Sequence, residues 1–439
     1  MKPRRTQPVP PKPAKTALVQ IEKPIYGGAF LARLEGKATF VPLTLPGEQA
    51  RIRIIEDKRS YATAELDEIS SPSPIRVQPR CPHFGVCGGC SYQHADYETQ
   101  LALKQEILRE TLLRTGVQPP DQIEVLAGEP WAYRNRIRLA FDAAGYIGYR
   151  GRRSHDVIHI EECPIAASLL VRAALLAAEI LRNSWPGFRP TEMSLFCDVE
   201  ESALLVSINV SSFSSHSFDE FITSLKDQVP ELAGAECIQQ ISIDQPSKQL
   251  ACWGNDSIAY RAAGFDYRVD HGAFFQVNRW LIDALVHRVV GDRGGTLAWD
   301  LFAGVGLFAR QLAAHFDEVV AVESAPVATQ ALTQNLRGTN SRSVTVDTLS
   351  FLKAKRPAAT PDLVVVDPPR AGLGPEITSL LNKIDAPTLV YVSCDPSTLA
   401  RDLKALIASG YSFGCVTLAD LFPQTFHLET VVTLQKSRS

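Results

Sequence analysis

The sequence predicts a multidomain chain: a small N-terminal β-barrel, a central α+β region and a C-terminal doubly wound α/β unit with a Rossmann-like sheet. Three observations predict it. Between Thr16 and Ile69 the short β-rich runs ALVQI, AFLARL, ATFVPL and ARIRII alternate with the turn signals YGG, EGK and PGE, and strands so closely spaced suit a barrel. Residues 123–270 mix strand patterns with one apolar helix and show no internal repeat. From residue 271 onward strand and helix alternate, the signature of a parallel sheet covered on both faces.

Taken in order, residues 1–15 hold five prolines and no periodicity, which predicts a disordered basic tail. The barrel spans 16–73, and SPSP (Ser71 to Pro74) reads as a linker. The central domain spans 74–270. It opens with a Cys/Gly-rich stretch at 81–90 and a helix from Tyr92 to Arg114, whose Leu101, Leu108 and Leu112 form an apolar stripe able to pack on the next domain. The strands YRNRIRLAFD, IGYRG, DVIHI and LLVSINV and an apolar helix around 166–182 complete it. The last domain, 271–439, has strands LAWDLF, EVVAVE, SVTVD, DLVVVD and TLVYVS. Between them GLFARQLAAHF, ALTQNLRG, PEITSLLNKI and STLARDLKALIASG read as helices.

With 45% hydrophobic and 21% charged residues in 439, the chain is globular rather than disordered. No run approaches a membrane span, and the N-terminus lacks the apolar core of a secretory signal, so a cytoplasmic location is expected. Nine cysteines are too few and odd in number for a disulfide framework, and fit reduced thiols, a metal site or catalysis. Net charge is −3, unevenly spread: residues 1–60 hold 12 Lys+Arg against 5 Asp+Glu, and residues 291–439 hold 13 against 14. A basic end suits a polyanion-binding module, although a solvated tail gives the same count.

The first strand of the C-terminal sheet runs into Asp300-Leu-Phe302-Ala-Gly304-Val-Gly306-Leu-Phe-Ala309. The glycines allow a tight turn and close backbone approach to a ligand. Glu323 ends the next strand, 17 residues after Gly306, where a carboxylate accepts from ribose hydroxyls. A dinucleotide would fit equally well to this point. The fourth strand ends at Asp367, followed by Pro368-Pro369-Arg370, which forces a fixed turn at the ligand-binding edge of the sheet. An acidic residue plus Pro-Pro there resembles S-adenosylmethionine-dependent methyltransferases acting on nucleobases.

The fifth strand delivers Cys394 to the same edge. Asp395 is a good N-cap and Pro396 fits the first helical position, so a helix should start directly after the cysteine and draw its pKa down from about 8.5. A thiolate beside a methyl donor suits carbon 5 of uracil: addition at carbon 6 makes an enolate that attacks the methyl. A base must then remove the carbon-5 proton. In FPQTFHLET, His427 or Glu429 meets that need on chemistry alone.

These residues resemble the RNA uracil-5-methyltransferases of ribosomal and transfer RNA over essentially the whole chain, through DPPR, SCDP and FPQTFHLET. The resemblance implies Cys394 as nucleophile and Glu429 as base. It implies cofactor contacts from Gln276, Phe302, Gly304, Gly306, Glu323, Asp347 and Asp367, with Leu307 standing where several relatives have Asn. The N-terminal phrase YGGAFLARLEGKATFVPLTLPGE resembles a TRAM domain, an OB-like RNA-binding barrel. Cys81, Cys87, Cys90 and the distant Cys163 look like a four-thiolate site. Spacing leaves zinc and iron–sulfur open, and the resemblance favours a 4Fe–4S cluster. Cys197, Cys237, Cys252 and Cys415 read as core thiols. Arg134, Arg136 and Arg138, with Arg150, Arg152 and Arg153, read either as an RNA path or as a solvated face. The implied partner is RNA (23S rRNA first, tRNA second), with no membrane and a monomeric chain. The rival readings are an amino-methyltransferase with a structural Cys394, and a non-catalytic RNA-binding or redox-sensing protein.

Overall fold

Alternation of buried and exposed residues along five strands closes the barrel: β1 (Thr16–Ile25), β2 (Ala29–Leu34), β3 (Lys37–Pro42), β4 (Gln49–Asp57) and β5 (Tyr61–Ser71), in the order β1-β2-β3-β5-β4. The computed structural model describes residues 15–182, 187–240, 247–354 and 360–436, so all but the last residue of the tail read as disordered lies outside them. Val19, Ile21, Phe30, Val41 and Ile52 fill the barrel, and Tyr92 and Leu103 from the following segment join the same core.

Two sequence readings change here. The basic excess is not a property of the barrel itself. Residues 15–71 hold eight Lys+Arg and eight Asp+Glu, whereas residues 1–14 hold four and none; barrel cations such as Lys37 and Arg53 pair with Asp57 and Glu65. Nor is SPSP a loose linker. The buried Glu48 carboxylate accepts from Ser73 N (3.2 Å), Leu45 N (2.7 Å) and Arg76 Nε (2.5 Å), pinning the segment to the barrel.

Helix α1 (Tyr97–Thr115) starts five residues later than the apolar stripe suggested. Asp96 caps it by accepting from Thr99 N at 2.8 Å, while the N–H groups of Ser91 and Tyr92 bond to the carbonyl of Gln424 instead. Its Ile107, Leu108 and Leu112 share a core with the C-terminal sheet.

The central sheet has the order β13-β12-β11-β10-β7-β8-β9. Its strands are β7 (Arg136–Phe141), β8 (Ile147–Arg150), β9 (Val157–His159), β10 (Arg189–Cys197), β11 (Leu204–Ser212), β12 (Leu232–Gln239) and β13 (Lys248–Gly254). Helices α2 (Ser168–Leu181) and α3 (Ser215–Gln228) share its apolar core. The hairpin β14 (Ser257–Ala262) and β15 (Phe265–Asp270) packs into the core of the last sheet, as does α4 (Ile282–Val290).

That sheet has eight strands, ordered β18-β17-β16-β19-β20-β22-β21-β6. Its elements are β6 (Glu124–Leu126), β16 (Gly295–Leu301), α5 (Leu307–Leu312), β17 (Phe316–Glu323), α6 (Pro326–Asn335), β18 (Ser341–Thr345), α7 (Thr348–Ala354), β19 (Leu363–Val366), α8 (Gly374–Ile384), β20 (Thr388–Ser393), α9 (Pro396–Ala408), β21 (Tyr411–Ala419) and β22 (Glu429–Lys436). Five strands, β18 to β20, run parallel, and β22 inserts antiparallel between β20 and β21. All four residues of β19 are buried, as a sheet covered on both faces requires. The helix expected over GLFARQLAAHF ends at Leu312, and a tight turn through His315 leads into β17.

Candidate active site

Strand order reverses between β16 and β19, the switch point at which open α/β sheets bind ligands. Leu301 pairs with both Val322 and Val366. The next residues along these strands, Phe302, Glu323 and Asp367, therefore lie side by side at the carboxyl edge. The turn that follows needs left-handed backbone at Phe302 (φ 69°), Gly304 (55°) and Gly306 (92°). A Cβ on Gly306 would also stand 2.7 Å from Leu332 Cδ1. Glu323 fastens the turn: its carboxylate accepts from Gly304 N (2.9 Å) and from Ser324 N and Ala325 N (2.7 Å each).

Gln276 is buried on the loop after β15, its carbonyl held by Asn135 Nδ2 at 2.9 Å. Asp347 lies at the exposed start of α7, and hydrogen bonds from Ser350, first from its side chain and then from its N–H at 2.9 Å, lower its pKa. Leu307 is packed in the core, and its carbonyl accepts from Tyr267 Oη.

The sequence reading passed over Asp300. It is fully buried on β16 and, among the described residues, no cationic side chain pairs with its carboxylate. Burial pushes its pKa up to about 8. A buried carboxylate without an ion-pair partner is costly unless a cation comes to it. The available signal was a charged residue within an otherwise apolar strand.

Cys394 follows the last residue of β20. Ser393 pairs with Thr430, so continuing the antiparallel register by one residue sets Cys394 opposite Glu429. The helix expected directly after the cysteine is present, with Asp395 as its cap and Pro396 at its first position. Burial, then the Glu429 and Asp367 carboxylates, push the thiol's pKa up to about 12 against the opposing pull of Arg370. The Asp395 carboxylate accepts from the N–H groups of Ser397 and Thr398 at 2.9 and 3.0 Å. Burial raises both Asp367 and Glu429, and the charge of Asp367 adds at Glu429. His427 moves the other way, lowered to about 4 by burial and then by Arg370.

The loop carrying His427 is held from several sides. Buried Lys104 of α1 donates to Asp420 Oδ1 (2.6 Å) and to the Phe422 carbonyl (3.0 Å). Gln100 Nε2 donates to Gln424 Oε1 at 3.0 Å, and the Gln424 backbone N–H donates to Gln100 Oε1 at 2.9 Å.

Cys81, Cys87, Cys90 and Cys163 all line one small pocket, together with Gln93, Arg134 and Tyr149. Tyr149 Oη lies 3.6 Å from Cys163 Sγ. Among the described residues, no three His, Cys, Asp or Glu side chains stand ready to hold a metal ion. The pocket nonetheless contains a buried guanidinium whose Nε has no partner, as a wall facing an anionic group would.

This corrects the RNA-path reading of the arginines. Arg134 faces the thiols, and Arg136 lies over Phe196 and donates to the Ala273 carbonyl. Only Arg138 of the three is exposed, and it pairs with Glu192. The reading of four further core thiols also changes: Cys197 and Cys237 are buried, Cys252 is exposed and Cys415 half-buried.

A doubly wound sheet with a glycine turn and a cluster of acidic residues at its switch point suits a nucleoside-bearing cofactor, here with a closed five-stranded barrel attached. The tRNA (Uracil-5-)-methyltransferase family matches residues 358–437, and the TRAM domain family matches 12–66. The chain is 34% identical over 439 residues to the 23S rRNA (uracil(1939)-C(5))-methyltransferase RlmD of Pectobacterium carotovorum, covering 95% of this chain and 94% of that protein. It is 31% identical to an uncharacterized RNA methyltransferase of Nitratidesulfovibrio vulgaris, covering 93% of each. The solved Pyrococcus abyssi tRNA (uracil-54, C5)-methyltransferase, in complex with S-adenosyl-L-homocysteine, superposes with a TM-score of 0.77 at 26% identity, over 95% of this chain and 99% of that one. The chain belongs to the RNA (uracil-5-)-methyltransferase family and is an S-adenosylmethionine-dependent RNA methyltransferase. Among the described residues, no helix is long and apolar enough to cross a membrane.

Proposed function

We propose that the chain methylates carbon 5 of a specific uridine in 23S rRNA, with tRNA as the second candidate, through a covalent Cys394 intermediate resolved by Glu429. The observation that carries this reading is the facing of Cys394 and Glu429 beside the acidic switch-point pocket. Asp300, Glu323, Asp367 and Glu429 crowd four carboxyl groups there, and a cofactor carrying a sulfonium and an ammonium would favour their ionised forms. Gln276, Phe302, Gly304, Gly306, Glu323, Asp347 and Asp367 hold that cofactor, and Asp367 also meets the target base.

The Cys394 thiolate adds to carbon 6 of the uracil. Carbon 5 then takes the methyl group, releasing S-adenosylhomocysteine. Glu429 accepts the carbon-5 proton, the electron pair of that C–H bond reforms the ring double bond, and the thiolate leaves. Its raised pKa makes Glu429 a stronger base than an ordinary carboxylate. His427, whose pKa is lowered to about 4, is the weaker candidate.

In this reading residues 16–73 grip RNA, 74–270 carry the thiol site and 271–439 perform the chemistry. Cys81, Cys87, Cys90 and Cys163 would hold a 4Fe–4S cluster, with zinc the alternative; an electron-transfer or positioning group of that kind suits a pocket walled by Arg134. Anaerobically purified protein is expected to be brown with about four iron atoms per chain. A colourless preparation with one zinc would replace the cluster.

The test of the catalytic reading is to incubate the protein with S-adenosylmethionine and cellular RNA containing 5-fluorouridine, then map the adduct by peptide mass. Fluorine cannot leave as a proton does, so a persistent adduct on Cys394 supports the mechanism and the trapped RNA names the target. Methyl transfer to normal RNA with no adduct would make Cys394 structural and favour an amino-methyltransferase.

A further inference from the structure

The barrel reaches into the catalytic edge. Its β1–β2 turn, Tyr26-Gly27-Gly28, brings the Tyr26 hydroxyl 3.3 Å from the carbonyl of Cys394, to which it donates. The same hydroxyl faces Asp395, and burial followed by that carboxylate raises its pKa, so it remains a proton donor. The Tyr26 ring meets Phe426 edge-on, with centroids 5.9 Å apart at 79°. Phe426 in turn packs on His427 at 4.3 Å. The docking is tight: a Cβ on Gly28, which has φ 82°, would stand 3.0 Å from Phe426 Cδ1 and 3.2 Å from Ser91 Oγ.

Cys394 lies one residue beyond the last pair of the β20–β22 ladder, and its carbonyl accepts from the barrel tip. We propose that Tyr26 is a positioning residue that fixes the Cys394 peptide and aims its thiol at the target base, making the barrel a wall of the catalytic pocket as well as an RNA grip. This rests on Cys394 being the nucleophile.

The test uses the full chain with Tyr26→Phe, which keeps the docking ring and removes only the hydroxyl, and with Tyr26→Ala. One neutral hydrogen bond corresponds to about a fivefold to tenfold effect. Tyr26→Phe is expected to slow adduct formation on 5-fluorouridine RNA, and single-turnover methyl transfer, by about that factor while KM for RNA stays within about twofold. Iodoacetamide alkylation of Cys394 without RNA should slow as well, whereas Tyr26→Ala should also raise KM. A purely docking role predicts Tyr26→Phe equal to wild type in adduct and alkylation rates, and that result overturns the proposal. If wild type forms no adduct, the covalent reading fails by itself, and the alkylation rates still report whether Tyr26 orients the thiol.

Discussion

Cys394 and Glu429 stand opposite one another, one step beyond the Ser393–Thr430 pair that ends the β20–β22 ladder. Facing residues of an antiparallel pair project from the same side of the sheet with Cβ atoms about 5 Å apart. That spacing lets one flat ring sit between a group acting at carbon 6 and a group acting at carbon 5. Because β22 runs antiparallel to β20, its first residue, Glu429, rather than its last, meets the carboxyl edge where Cys394 stands.

Replacing Glu429 with Gln keeps shape and hydrogen bonding but removes the basic oxygen. Thiolate addition and methyl transfer should still occur once per enzyme, leaving a methylated RNA covalently bound. Steady-state turnover should fall by about 10²–10⁴-fold, with a protein–RNA band that survives denaturation. Rapid turnover without that band would transfer the role to His427 or to water.

Reactivity of Cys394 should depend on pH in an unusual range. An ordinary thiol is largely ionised above about pH 8.5, but here burial and the carboxylates hold the group up at about 12. The ionised fraction in the free protein thus keeps rising through pH 9 and 10. Alkylation rates should climb across that range without a plateau. A bound sulfonium supplies positive charge to the same pocket, so S-adenosylmethionine should move the curve to lower pH. A plateau near pH 9 in the free enzyme would show that neither burial nor the carboxylates hold the thiol up.

The parts of this site that were legible in the sequence are local. The glycine turn, Asp367-Pro-Pro and Cys394 before Asp395-Pro396 are marked by residues whose backbone limits end a strand or start a helix. Pairings across the chain leave no such mark. Strand β6 joins the last sheet from residues 124–126, and β21 and β22 set the register of Glu429, yet neither follows from local pattern. Asp300 went unnoticed because its only signal, one charged residue within the otherwise apolar end of β16, is weak beside a motif. Arg134 was misread for a different reason. Period-two alternation groups residues on one face, but β7 begins only at Arg136, and Arg134 is placed by separate bridges to Ala166 and Asn278.

The Lys104–Asp420 pair ties the catalytic loop to α1. Both side chains are fully buried, and the bond joins α1 to the end of β21. Lys104→Met would leave a buried carboxylate without its cation, at a cost of about 3–5 kcal/mol. The thermal midpoint should fall clearly, and adding Asp420→Asn should recover part of the loss because the orphaned charge is gone. Additive destabilisation in the double variant would mean that the two residues do not act as a pair.

Arg134 offers a direct test of what the four thiols hold. Its guanidinium is buried in their pocket with an unpartnered Nε, and an unpaired buried cation is expensive. Four thiolates around an iron–sulfur core carry net negative charge, so a cluster would supply the missing partner. A nearby positive charge favours the reduced, more negative state. Arg134→Met should therefore lower the midpoint potential, by roughly 60 mV for each tenfold change in the one-electron equilibrium, and Arg134→Lys should shift it less. Redox titration followed by electron paramagnetic resonance reads the potential, and iron per chain controls for loss of the cluster. An unchanged potential at full iron content would mean that Arg134 is balanced by something other than the group bound to the thiols.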